Sequence, residues 1–505
     1  MRVADKEFLA GLDEWSENRK KKIRETPDCI DLSKGEVYYV ASDGDDTKDG
    51  KTPSTAWKTL EKVSKAALKY GDKVAFKRGD LFRGFVKTKA GVTYCAYGVG
   101  EKPKFYGWEK NLADKTLWER VDSEGKIWKY TEKIPDCGTL VFNDGQKHSR
   151  KLIPSYIGGR FVCREAQTKP FEFEKEATQD LDIFCRYDER LTTVPSKGED
   201  FPVPLVDNES YGELYLRCDN GNPGEVFSSI EAIPRRFAFE VGENEGVTID
   251  NLCVKYYAFG VSAMGHVKKL KVQNCEFGWI GGNIQHYLGT DPNYPQGGRG
   301  TVTRFGNAVE VYGGCEEYWV ENCYIYQVYD AGITHQVTTN GEKYEMKKIR
   351  YLNNLIEYCV YAIEYFLEKT DGDCESLMDD VLMQGNFLRF SGYGWGQQRH
   401  NQDTPAHIKG WEYENTASRF TISDNVFDRS AYRSLHLVAK KEESCPILAR
   451  NTYIQRVGGN LGSYGANEFA KVKNLTFDDG SYRKIKEIFK DKSAKVYGVF
   501  DETLD

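Results

Sequence analysis

From residue 247 onward one pattern returns seven times: an apolar strand followed by an asparagine. The segments are VTIDNLCV, LKVQNCEF, YWVENCYI, IRYLNNLI, VLMQGNFL, FTISDNVF and PILARNTYI, and the asparagines are Asn251, Asn274, Asn322, Asn354, Asn386, Asn425 and Asn451. Asparagine tolerates the left-handed conformation and can bond backbone in tight turns. The intervals, by subtraction, are 23, 48, 32, 32, 39 and 26 residues. A solenoid of parallel strands explains both facts: each coil keeps its strands and corner while loops on one side vary in length. The expected fold is an all-β, right-handed parallel β-helix, with the asparagines stacked along one corner.

The remaining chain fits around that core. Residues 4–26 read as an amphipathic helix with Phe8, Leu9, Leu12 and Trp15 on one side, and residues 1–36 are expected to cap an open end. Residues 37–104 alternate strands and turns as the first part of the helix. Residues 105–240 lack the repeat and read as an inserted β-rich accessory domain. Residues 241–465 form the main β-helix, and 466–505 a C-terminal cap.

The chain has 13 Cys without a CxxC, and Cys253, Cys275, Cys323 and Cys359 fall inside strands, as buried reduced thiols do. Seven His show no metal-ligand spacing, so no metal or cofactor is expected. A net charge of -7 without a basic aromatic tract argues against nucleic acid as a partner. No stretch is apolar enough to span a membrane. With no signal-like start, the chain reads as soluble and cytoplasmic, although a secreted chain trimmed of its signal would read the same. A homo-oligomer is compatible with the sequence.

The candidate chemistry comes from aligning NAVEVYGG, DAGITHQ and YAIEYFL by strand register. Val309, Ile333 and Ile363 then point inward, and Glu310, Thr334 and Glu364 form one outward column on adjacent coils about 4.8 Å apart. Asp330 precedes the middle strand in a turn expected to be two residues longer than its neighbour's, which brings it over the same face. Carboxyl groups beside an apolar strand core need compensating partners, and a pair of them can cleave a glycosidic bond. Asp330 and Glu364 are the preferred pair, with Glu310 in reserve. Arg304, His335, Tyr361, His436, and Trp395, Gln397, Arg399 and His400 of the segment SGYGWGQQRH are candidate substrate-binding groups. Tyr329, Tyr361, Tyr393 and Tyr432 each follow a ladder asparagine by seven residues, by subtraction, as an aromatic column in or beside the core or as a sugar-facing platform.

The opening VYYVASDGDDTKDGKTPSTAWKTLEKV, followed by GDKVAFKRGDLFRG and TYCAYG, resembles the start of right-handed parallel β-helix carbohydrate-active proteins of the pectate-lyase-like superfamily. The β-helical β-xylosidase and xylanase/fucosidase groups are nearest. The resemblance covers residues 37–100 and 245–460. It implies a glycoside hydrolase working with two carboxylic acids on an oligosaccharide, a xyloside-like one favoured. Two alternatives accompany it. A lyase acting on a uronate-containing glycan would use a base and a cation, for which TDGDCESLMDD (Asp371, Asp373, Glu375, Asp379, Asp380) is the candidate loop. A non-catalytic glycan-binding β-helix would need no clustered acids.

Overall fold

The computed structural model describes all residues except 29, 32, 158–159, 164–168, 188–192, 195–202, 205, 207–209, 288–301, 371, 373–374, 400–404, 412–414, 467–473 and 501–505. The chain is a parallel β-helix with three strand faces. One face is an 11-stranded sheet whose strands all run parallel, among them Tyr324–Val328, Leu355–Glu357 and Phe387–Arg389. A second face stacks Ala331–Thr338, Tyr361–Glu368, Ala406–Gly410, Arg433–Ala439 and Asn460–Ala466. A third stacks Glu345–Leu352, Leu377–Gln384, Ala417–Ser423 and Ile447–Ala449. The long strands Phe259–Gln273 and Val309–Glu321 bend from the second face into the third, which joins the two faces into one 18-stranded sheet. Alternate side chains enter a continuous apolar core that includes Val309, Ile325, Ile333, Ile349, Ile363 and Leu388.

The asparagines share one corner but form two columns offset by one residue. Asn251, Asn274 and Asn322 are in the left-handed region at φ 65°, 53° and 51°. Strand pairing of Glu321 with Leu352 makes Asn353, not Asn354, the successor of Asn322, and Asn353 has φ 54°. Gly385, Asp424 and Arg450 continue this column, all at positive φ. Asn354, Asn386, Asn425 and Asn451 sit one residue further on, pointing inward and at most 1% exposed. Each accepts from the backbone N–H one coil earlier and donates to a core carbonyl. Asn386, for example, accepts from Asn354 N at 3.0 Å and donates to Tyr351 O at 2.8 Å. Asp491 closes the run beyond Asn451. The doublet Asn353–Asn354 hides the shift of register in the sequence.

The two columns predict different costs. Asn386→Ala strands a buried N–H and a buried carbonyl, so denaturant titration should show a loss of about 3 kcal/mol. Asn322→Ala, half-buried, mainly forces alanine into the left-handed region and should cost about 1 kcal/mol.

The N-terminal helix Lys6–Arg24 runs along the flank of the solenoid, where the sequence suggested an end cover. Trp15 stacks on Phe387 at 4.3 Å, Ser16 donates to Glu357 at 2.7 Å, and Arg24 pairs with Glu276 at 2.8 Å. Its apolar stripe thus spans strands of several coils. The edge itself is met by Arg2–Val3, which pair in parallel with the last strand, Lys495–Val499. At the two ends, Leu60 and Val63 of the helix Leu60–Lys65, and Ile485 with Phe489 near the helix Ser481–Glu487, enter the core.

Between Lys104–Tyr106 and Phe237–Glu240, where parallel pairing with the β-helix resumes, the chain makes an excursion with mainly antiparallel sheets and a core of its own, including Trp118, Leu140, Ile183 and Leu214. The described cysteines, Cys253, Cys275, Cys323 and Cys359 among them, are buried free thiols. Among the described residues no helix is long and apolar enough to cross a membrane.

Candidate active site

Strand pairing puts Glu310 opposite Thr334 and Thr334 opposite Glu364, one outward column on three adjacent coils. Val309, Ile333 and Ile363 alternate with them into the core. The column continues to Ser262 on one side and to Lys409 and His436 on the other. Although outward from the strands, these side chains are covered by surrounding segments. Glu310 is 5% exposed and Glu364 4%.

Asp330 joins them from the turn before Ala331–Thr338. That turn is one residue longer than its neighbour, not two: Tyr326 pairs with Glu357, while Ala331 pairs with Tyr361. Asp330 is ion-paired with Arg399, whose guanidinium also lies 5.4 Å from the Tyr361 ring. Glu364 accepts from Trp411 Nε1 and, at 2.8 Å, from Gln336 Nε2. The Lys409 ammonium sits 4.2 Å over the Trp411 ring. Glu310 has a separate pair of donors, Ser262 Oγ at 2.6 Å and Asn307 Nδ2 at 2.7 Å.

The three carboxyl groups are electrostatically unequal. Burial pushes Glu364 up to about 8, the nearby Asp330 charge adds to this, and Trp411, Arg399 and Lys409 oppose it. Burial raises Glu310 to about 7, against the pull of Ser262 and Asn307. Burial also raises Asp330, but the fixed charge of Arg399 opposes it. Asp330 is therefore the acid with a cation placed to favour its charged form, and Glu364 the one that burial favours protonated, up to about 8.

The other candidates divide. Tyr361 is fully buried beside Trp411 and under Arg399, within the cluster. His436 is two coils along the same column. Gln397 is exposed in the turn Trp395–Gln398, and His400 lies outside the described residues. Arg304 does not face Glu310. It donates to Gly282 O at 2.7 Å and Gly138 O at 3.1 Å and covers the Tyr329 ring at 4.3 Å. Trp395 is 1% exposed, donating to Gln327 O and packed near Tyr329 and Trp279, so its ring anchors the segment and is no sugar platform. His335 is in the core: the alternation that sends Thr334 outward sends it inward, against Tyr365 and within 2.8 Å of Tyr351 Oη. The four tyrosines do not form a column either, since Tyr361 pairs with Ala331 and then Ala406.

Ser262, Asn307, Gln336, Lys409 and Trp411 escape the sequence reading. Extending the Glu310–Thr334–Glu364 column by one coil each way finds Ser262 and Lys409. In the acidic loop, Asp379 is held by Ser418 and Arg419, and Asp380 by Arg350. Asp371 and Asp373 lie outside the described residues. Among the described residues no group of three His, Cys, Asp or Glu is placed to hold a metal ion.

No family model matches the chain, and no curated protein matches it. Solved structures do. XylC in complex with xylose matches at 11% identity over 92% of this chain and 82% of that one, with a TM-score of 0.39. A lacto-N-biosidase from Eubacterium ramulus matches at 12% identity over 98% and 71%, with a TM-score of 0.33. A polygalacturonase from Erwinia carotovora matches at 9% identity over 86% and 94%, with a TM-score of 0.28.

Proposed function

We propose that this chain is a glycoside hydrolase that cleaves a neutral oligosaccharide, a xyloside-like one favoured, with Asp330 and Glu364 as its two carboxyl groups. The observation that carries the reading is the contrast between them: two buried acids near each other, one ion-paired with Arg399 and one holding its proton at neutral pH. Glycosidic cleavage needs that contrast. Glu364 gives its proton to the leaving oxygen while the exocyclic bond breaks. Asp330 attacks the anomeric carbon or takes a proton from the water that does. Gln336 and Trp411 orient the Glu364 carboxyl, and Arg399 keeps Asp330 ionised. A buried site whose Arg399 is already paired with Asp330 favours a sugar without a charge of its own, since a charged one would be costly to desolvate there.

Aryl glycosides screened across sugars and both anomers test this. Turnover of one series, unchanged by EDTA because the acids do the chemistry alone, is the expected result. Activity abolished by EDTA and restored by Ca²⁺ would favour the lyase reading instead.

A further inference from the structure

Arg399 leaves a turn that is fastened at three points. Trp395 donates from its backbone N–H to Gln327 Oε1 at 3.1 Å and from its indole to Gln327 O at 2.8 Å. Gly396 lies so close to the coil below that a Cβ there would meet Val360 Cγ2 at 2.7 Å. The third point reaches outside the β-helix. Gln398 Nε2 donates to Ser149 O at 2.8 Å, and its Oε1 accepts from Lys151 N at 3.2 Å.

Those two backbone groups belong to the edge of the excursion between residues 107 and 236. Arg150–Lys151 pairs on its other side with Asp182–Tyr187, and Lys151 is locked by a buried ion pair to Asp136 at 2.5 Å. Asp136 Oδ2 in turn accepts at 2.6 Å from Ile284 N, in the strand Asn283–Tyr287 that pairs antiparallel with Val302–Phe305 between two β-helix strands. An open strand edge presents an N–H and a C=O on the same side, and a primary amide can satisfy both as a peptide group would. Gln398 Nε2 also comes within 3.4 Å of His148 Nδ1.

We infer that Gln398 is a positioning residue, through which the inserted domain holds Arg399 against Asp330 and beside Glu364. The insert then acts as a wall of the site. The inference rests on the proposed roles of Asp330 and Glu364. The charged groups that bear on Glu364 are Asp330 from its turn, Arg399 from the Gly-rich segment and Lys409 from the next strand. Glu310 lies two strands away and couples to Asp330, and His148, beside Gln398, is kept neutral by burial. Releasing Arg399 removes the one cation shared by both acids, so both should hold their protons to higher pH.

The test is a ¹³C carboxyl titration of Glu364, assigned with Glu364→Gln, in the wild type, Gln398→Met and Gln398→Asn. Methionine keeps the length without the bonds, and asparagine keeps the amide without the reach. Both variants should melt within a few degrees of the wild type, titrate Glu364 about one pH unit higher, and move the limbs of the kcat–pH profile the same way. A wild-type Glu364 titrating near 8 with unchanged titration in both variants overturns the inference and leaves the acid assignment standing. A wild-type Glu364 titrating as an ordinary carboxyl overturns the assignment itself, and the inference with it.

Discussion

Asp330→Asn and Glu364→Gln should each lower kcat by about 10³-fold or more on a glycoside with a poor leaving group, with folding preserved. Both replacements keep the shape of a buried side chain. The first removes the charge that Arg399 holds at the face; the second removes the proton that burial keeps on Glu364. Glu310→Gln should cost less, because Glu310 already accepts from Ser262 and Asn307 and is set apart from the Arg399 pair. Azide should restore turnover to an Asp330→Gly variant if Asp330 is a nucleophile, since the anion can occupy the vacated space. Near-normal turnover in both amide variants would move the assignment to Glu310.

The second large effect is on stability. The folded chain keeps the Glu364 proton up to about pH 8, whereas an unfolded chain releases it near pH 4.3. Between those values the folded state binds more protons, so stability falls as pH rises through the window. Glu310, raised to about 7, adds a smaller loss of the same sign. The combined penalty is on the order of several kcal/mol by pH 9, fully absent below about pH 4. Melting temperatures measured from pH 5 to 9 should decline in the wild type and decline less steeply in Glu364→Gln. A wild-type curve as flat as that of the variant would mean that Glu364 is not held protonated. The same linkage places the loss of the acid form of the site, and so the alkaline limb of activity, near pH 8.

Much of this arrangement is legible before any coordinates, for one reason. In a parallel β-helix, period-two alternation and a recurring corner act on every coil, so local pattern and three-dimensional register coincide. That is why Glu310, Thr334 and Glu364 fall in one column. The same rule, followed one residue further, sends His335 into the core. The corner shifts by one residue at Asn354, and the sequence pattern hides the shift because Asn353 beside it satisfies the same pattern. The turn holding Asp330 reads one residue too long in the sequence for a related reason: corner length is set by where pairing resumes, at Ala331, and no residue type marks that point.

What sequence does not carry is contact between segments that the repeat does not relate. Arg399 reaches Asp330 across 69 residues, and Gln398 reaches Ser149 across 249. Arg304 illustrates the same limit, since its neighbours Gly282 and Gly138 come from different parts of the chain. Trp395 was legible as an aromatic in a Gly-rich segment, but its burial follows from the Tyr329 and Trp279 rings it meets only after folding.

The proton on Glu364 is the centre of the account, and leaving-group dependence reads it most directly. On two aryl glycosides of the same sugar, one with a good and one with a poor leaving group, the wild type should turn over both. Glu364→Gln should lose about 10³-fold on the poor leaving group and far less on the good one, which departs with little protonation. Equal losses on both would contradict Glu364 as the acid.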